Sequence, residues 1–248
     1  MRRLGLIGGT GLDQWPGELE TLKLSSKYGQ PSADLAKFSL GAVSIYFLPR
    51  HGYLHSIPPH AVNYRANIDV FQQAGVEAVI AVNAVGGISD QCGAGSLCFP
   101  DQLIDYTWGR EHSFSLTADD PLNHIEFANP FEGALREALV AQARQQNISV
   151  VNGGCLAVTQ GPRLETAAEI LKLRSEGCDL VGMTSMPEAA LAREAGLDYA
   201  SLCVVSNKAA GLEDIPVSMA AIEATLASAM SDVQHLLGSF FKELSNAG

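Results

Sequence analysis

The sequence predicts an α/β layer fold, and three observations carry that expectation. Short apolar runs alternate with longer segments whose apolar residues recur at helical spacing. Gly75, Gly177 and Gly196 each follow a helical pattern, where a C-terminal cap belongs. Short polar signatures, each with a hydroxyl, an amide or a charge, are expected where strands end. In chain order, buried strands are predicted at residues 4–7, 43–48, 78–82, 102–106, 180–183 and 199–205, all short apolar runs flanked by turn or polar residues. Helices are predicted at 62–74, 133–146, 165–175, 186–195 and 217–243. Residues 107–130 hold Trp108, Pro121 and Pro130 with little periodicity and read as a long functional or interface loop.

No internal repeat, low-complexity stretch or linker divides the 248 residues, so one domain over 1–248 is expected. A globule of this size buries roughly 75% of its unfolded surface and needs no disulfide or metal staple. Acidic residues outnumber basic ones 27 to 16, giving a formal charge of -11. That excludes a nucleic-acid surface, which needs a basic stripe to displace counterions. An anion must then be held by local donors and not by the net field. Cys92, Cys98, Cys155, Cys178 and Cys203 are scattered, without a C-x-x-C pair, and read as reduced thiols. Met1-Arg2-Arg3 leads into an apolar run too short for a signal-peptide core, and no run approaches the roughly 20 residues needed to cross a bilayer. A cytoplasmic chain without membrane contact is expected.

The polar signatures are Gly8-Gly9-Thr10-Gly11, Arg50-His51, Asn83-Ala84, Gly161-Pro162-Arg163-Leu164-Glu165-Thr166, Met183-Thr184 and Ser206-Asn207-Lys208. Five are expected at the carboxyl ends of strands, where open α/β sheets collect ligands, and that at 161–166 just before a helix. The first is not a Walker loop, since no Gly-Lys-Ser/Thr follows. Nor is it a dinucleotide fingerprint, since the spacing is wrong and Trp15-Pro16-Gly17 stands where a helix should run. Its glycines are expected to let the backbone approach a small anion, with Thr10 donating its hydroxyl. Arg50 can grip a phosphate bidentately, and His51 can add a second donor. Thr184 offers another hydroxyl and Ala84 a backbone amide.

Taken together, Ile7-Gly8-Gly9-Thr10-Gly11-Leu12, Pro49-Arg50-His51-Gly52 with Val62-Asn63-Tyr64-Arg65-Ala66-Asn67, and Gly161-Pro162-Arg163 with Gly182-Met183-Thr184 resemble the trimeric purine nucleoside phosphorylase and methylthioadenosine phosphorylase superfamily. The resemblance runs from Gly8 to about Ile222. It implies a three-layer α/β fold with a mixed, twisted central sheet flanked by helices, and an active site near a subunit boundary of a homotrimer. It implies phosphorolysis of a purine nucleoside, with inorganic phosphate as co-substrate and no metal or other cofactor. By the same likeness Thr10, Arg50, His51, Ala84 and Thr184 hold phosphate, Met183 lies under the ribose, and Leu164 joins the substrate side.

The chain mixes two patterns within that superfamily. Arg50-His51-Gly52 and His55 are similar to the methylthioadenosine enzymes, which carry Asp-x-Asp and small hydroxyl residues against adenine. Here Asn207-Lys208-Ala209 and Glu165-Thr166 stand in those places, as in enzymes for inosine and guanosine. A carboxylate at Glu165 accepts from the ring N–H of a 6-oxopurine, and Asn207 can donate to its carbonyl and accept from the imidazole-side nitrogen. Enzymes for ordinary ribonucleosides place a histidine for the 5′-hydroxyl where this chain has Ala221; the only later histidine, His235, is expected on the solvent face. Met219 and Ile222 offer an apolar wall suited to a methylthio group. His124 resembles a residue that reaches a neighbouring subunit's site. The expected catalytic residues are Asn207 and Glu165, and the expected substrate is S-methyl-5′-thioinosine. A broad inosine/guanosine phosphorylase, a methylthioadenosine phosphorylase and a non-catalytic nucleoside sensor stay open.

Overall fold

The computed structural model describes residues 2–115, 117–213 and 218–246. Among them, eleven strands form one sheet. They are β1 (Arg3–Gly8), β2 (Glu20–Leu22), β3 (Leu35–Leu40), β4 (Val43–Pro49), β5 (Ala78–Gly87), β6 (Leu97–Phe99), β7 (Gln102–Asp105), β8 (Val150–Asn152), β9 (Cys155–Val158), β10 (Leu180–Gly182) and β11 (Asp198–Lys208). The helices are α1 (Tyr64–Gln73), α2 (Ala134–Gln145), α3 (Ala167–Ser175), α4 (Ser185–Glu194) and α5 (Met219–Asn246). The main path runs β2-β3-β4-β1-β5-β10-β9-β7, while β11 pairs with β5 and β6, and β6 with β8. Parallel pairs (β1 with β4 and β5) coexist with antiparallel ones (β3 with β4, β10 with β5), so the sheet is mixed, as expected.

Alternating strand residues feed two cores. Leu4, Leu6, Ile80, Val82 and Leu202 pack with Leu135 and Leu139 of α2 and with Leu226 and Val233 of α5. Ile7, Val79, Ala81 and Cys203 pack on the other face with Ile68 and Phe71 of α1 and with Ala189 and Leu191 of α4. Helices therefore cover both faces, which makes three layers and explains why these strands read as continuous apolar runs. Each fully buried side chain of this size contributes about 1.5–3 kcal/mol relative to exposure. A smaller cluster seats Ile170 and Leu173 of α3 against Ala157 and Val181.

All six predicted strands and all five predicted helices are present, with shifted ends, but β7, expected to be buried, is exposed at both ends and half-buried between. Residue 217, where the last helix was expected to start, lies outside the described residues. Gly75, Gly177 and Gly196 have φ of +70°, +87° and +74°, the left-handed caps expected of them. Residues 107–130 hold no strand or helix among the described residues.

Three differences have physical causes. β2, β6, β8 and β9 run for only three or four residues and β3 is partly exposed on both sides, and none of these five was predicted. β5 extends beyond the predicted 82 to Gly87, which puts Asn83-Ala84 inside a strand and not at its end. Asn83 can sit there because its buried amide donates to Ala81 O and Ser201 Oγ. The third helix starts later than predicted: Thr166 is its N-cap, sharing a capping box with Glu169. Glu165 therefore lies outside the helix, and Glu169 takes the favourable first-turn position. No helix among the described residues is long and apolar enough to cross a membrane.

Candidate active site

The site opens where β5 changes neighbours. β5 pairs parallel with β1 over Ala78–Ala81 and antiparallel with β10 only at Gly86 and Gly87. The edge between is left free, a crevice of the kind in which α/β sheets bind ligands. A cavity of about 370 Å³ occupies it, lined by Thr10, Arg50, His51, Ala84, Leu164, Glu165, Met183, Thr184, Asn207, Met219 and Ile222. All the sequence-predicted site residues are brought together except His124, which is exposed and does not line this cavity.

Arg50 follows β4 and is fully buried. Its Nε and Nη2 donate to the two carboxylate oxygens of Glu188 at 2.7 and 2.8 Å, and Nη1 donates to Val82 O at 3.0 Å. Tyr199 OH donates to the same carboxylate at 2.9 Å. The Nε–Nη2 edge of the guanidinium is therefore taken by Glu188. One N–H on each Nη remains for a ligand. Burial opposes the charge on Arg50, but the Glu188 carboxylate outweighs it and holds the guanidinium above its ordinary range. Gly9 serves this packing: a Cβ there would lie 2.5 Å from Val82 O and 2.9 Å from Arg50 Nη1.

His51 is not the second donor that the sequence implied. Its Nδ1 donates to Ile57 O at 2.7 Å, which leaves Nε2 with a lone pair in the neutral ring. Burial, then the charge of Arg50, pushes its pKa down from 6.5 to about 4. A neutral Nε2 can accept the single O–H of monohydrogen phosphate. The unfolded chain takes up this proton near pH 6.5 and the folded chain only near pH 4, so His51 lowers stability as pH falls from 6.5 toward 4. His51→Asn is expected to flatten that part of the stability curve, read from thermal unfolding between about pH 4 and pH 7. Thr184 Oγ donates to Asn83 Oδ1 at 3.0 Å, so its hydrogen must turn before it can serve an anion.

At the other end, Thr159 Oγ donates to Glu165 Oε1 at 2.6 Å, fixing the carboxylate just before the α3 cap. Asn207 is aimed by a bulge in β11: Val205 pairs with Val85 and Asn207 with Gly86, leaving Ser206 over. Ser206 Oγ donates to Asn207 Oδ1 at 2.7 Å, and Asn207 Nδ2 donates to Lys208 O at 2.6 Å. The amide keeps one N–H and one lone pair free. Lys208 turns away, donating Nζ to Ser89 O at 2.7 Å. Met219 and Ile222 line the cavity with apolar side chains, whereas Ala221 is exposed and off the lining. His235 is exposed, as expected.

Sequence reasoning missed Glu188, Tyr199 and Arg110. Arg110 donates Nη1 to Met183 O at 2.8 Å and to Met186 O at 2.5 Å, and Nη2 to Gln160 O at 2.9 Å. One guanidinium thus ties the 107–130 segment to the backbone before Glu165 and around Thr184. Nothing in the sequence marks it, since an arginine in an aperiodic stretch reads as surface.

Comparisons agree with this geometry. The family model for the phosphorylase superfamily matches residues 3–242. A relative named probable S-methyl-5′-thioinosine phosphorylase, from Xanthomonas campestris pv. campestris, is 47% identical over 238 residues, 95% of each chain. The 6-oxopurine nucleoside phosphorylase of Pyrococcus furiosus is 40% identical over 223 residues, 86% of this chain and 82% of that one. The methylthioadenosine phosphorylase of Schistosoma mansoni, solved with adenine, superposes with a TM-score of 0.91 at 30% identity, covering all of this chain and 93% of that one. With its crevice at the β5 branch and a family match over nearly its whole length, this chain belongs to the phosphorylase superfamily.

Proposed function

We propose that this phosphorylase converts S-methyl-5′-thioinosine and phosphate to hypoxanthine and 5-methylthioribose 1-phosphate. The observation that carries the reading is a single cavity lined both by Glu165 and Asn207 and by the apolar side chains of Met219 and Ile222. Hypoxanthine presents an N–H to the carboxylate and a carbonyl to the amide N–H; adenine presents a lone pair and an amino group there. The exposed position of Ala221 leaves the 5′ end without a hydroxyl partner from that place. The relatives' names support the same substrate class.

In this reading Thr10, Arg50, Thr184 and the Ala84 amide hold phosphate, His51 Nε2 accepts its O–H, and Met183 and Leu164 border the sugar and base. A phosphate oxygen attacks C1′ as the C1′–N9 bond breaks and its electron pair passes to the purine. Glu165 and Asn207 stabilise the departing base, and the phosphate dianion stabilises the cationic sugar before bonding to it. The phosphate proton ends on hypoxanthine, so charge balances. Phosphate is co-substrate, and the chemistry asks for no metal or further cofactor. We place the chain in the cytoplasm, where its five free thiols persist. We also read it as a homotrimer in which His124 serves a neighbouring copy's site.

The test is base release from methylthioinosine, inosine, guanosine, methylthioadenosine and adenosine, with and without phosphate. Methylthioinosine is expected to have the highest kcat/KM, with no release when phosphate and arsenate are both withheld. A tenfold preference for inosine contradicts the apolar 5′ pocket, and a preference for methylthioadenosine contradicts the base assignment.

A further inference from the structure

A second histidine borders the phosphate end. His55 Nδ1 lies 2.8 Å from Asp13 Oδ1, and its Nε2 lies 3.4 Å from Thr10 Oγ. Its ring lies against that of His51, with centroids 4.7 Å apart. Its backbone has φ of +49°, a left-handed conformation that costs a non-glycine residue about 1–3 kcal/mol. Such strain persists where the surroundings over-determine it, and here it holds the imidazole between Asp13, His51 and Thr10. His55 also lines the cavity.

The charges on the expected phosphate ligands explain why this ring matters. Arg50 is compensated by Glu188, and His51 stays neutral with its proton on Ile57 O. Among the described residues, apart from His55, the only other ionisable residue lining the cavity is Glu165, an acid. A buried dianion needs an uncompensated cation or strong donors. The Asp13 carboxylate only accepts, so the Nδ1 of His55 carries hydrogen, whatever the state of Nε2. With Nε2 bare, the Thr10 hydroxyl donates to it and offers phosphate only lone pairs. With Nε2 protonated, the polarity reverses and the Thr10 hydrogen is freed.

We propose that His55, oriented by Asp13, takes up a proton as phosphate binds, donates Nε2–H to Thr10 Oγ, and so turns the Thr10 hydroxyl into a phosphate donor. The proton comes from solvent on binding and returns on release, so none is consumed by the reaction. His55 then acts through Thr10 as a positioning residue, and its proton offsets the Asp13 carboxylate beside the phosphate. The inference rests on the phosphate subsite of the proposed function.

Two measurements on the full chain test it. Titration calorimetry of inorganic phosphate, in buffers of different ionisation enthalpy, counts the protons taken up. Phosphate KM is followed with pH above the second ionisation of phosphate, at saturating nucleoside. The expected results are uptake approaching one proton per phosphate, and a phosphate KM that rises toward tenfold per pH unit on the alkaline side. His55→Gln is expected to take up no proton and to raise phosphate KM at least tenfold at neutral pH. It is also expected to flatten the pH slope and leave nucleoside KM unchanged at saturating phosphate. Asp13→Asn moves phosphate KM the same way, by less. Wild-type uptake and slope retained in His55→Gln overturn the inference while leaving the phosphate subsite standing. Base release that ignores phosphate in the unaltered chain overturns both.

Discussion

Replacing Glu188 with alanine is expected to cost about 3–5 kcal/mol of stability, the usual penalty for removing one partner of a buried ion pair. Arg50 is fully buried, and Glu188 accepts two of its N–H groups and the Tyr199 hydroxyl. Without the carboxylate, a buried guanidinium and a buried phenol lose their acceptor. Arg50 would swing or draw solvent inward, and both disrupt the phosphate end. Denaturant unfolding reads the first effect and phosphate KM the second. Glu188→Gln keeps the shape and one acceptor oxygen, so it should lose less stability while still raising phosphate KM. If Glu188→Ala unfolds with a loss below about 1 kcal/mol, the pair is not what holds Arg50.

Asn207→Asp is expected to lower kcat/KM for 6-oxopurine nucleosides by about 10²–10³-fold, the equivalent of about 3–4 kcal/mol. The substitution removes the free N–H that faces the purine carbonyl and sets a charged oxygen against it. Ser206 still has its acceptor, but the N–H given to Lys208 O is lost as well, so the thermal unfolding of Asn207→Asp is measured beside its kinetics. Turnover of 6-aminopurine nucleosides should rise relative to the 6-oxopurines, because an amino group donates to the new carboxylate. The gain stays partial while Glu165 faces the adenine lone pair, and Glu165→Gln added to Asn207→Asp should extend it. Steady-state kinetics on inosine and adenosine pairs, arranged as a double-mutant cycle, measures the coupling. Unchanged selectivity in Asn207→Asp contradicts the assignment of the base edge.

Much of this site was legible because its pieces are local. The apolar runs of β1, β4, β5 and β11 are covered on both faces, so they stand out, and the polar residues beside them mark the crevice. Glu165 and Asn207 were readable as types, since a carboxylate and an amide match one purine edge and not the other. What was illegible depends on distance or orientation. Glu188 lies 138 residues from Arg50, and no local pattern links them. The polarity of His51 depends on the Ile57 carbonyl that its Nδ1 meets, which residue identity alone does not reveal. Asn83 looked like a strand end because a polar residue broke the apolar run; its amide is satisfied inside the sheet by Ser201 and Ala81. β2, β6, β8 and β9 carry only three or four residues each, and the pairing of distant segments creates them.

The most direct test is a crystal structure of the chain with hypoxanthine and phosphate bound. The account predicts Glu165 within hydrogen-bond distance of the ring N–H, Asn207 on the carbonyl and imidazole-side edge, and Met219 and Ile222 lining the space beyond the ribose. Hypoxanthine seated in this cavity yet touching neither Glu165 nor Asn207 would contradict it.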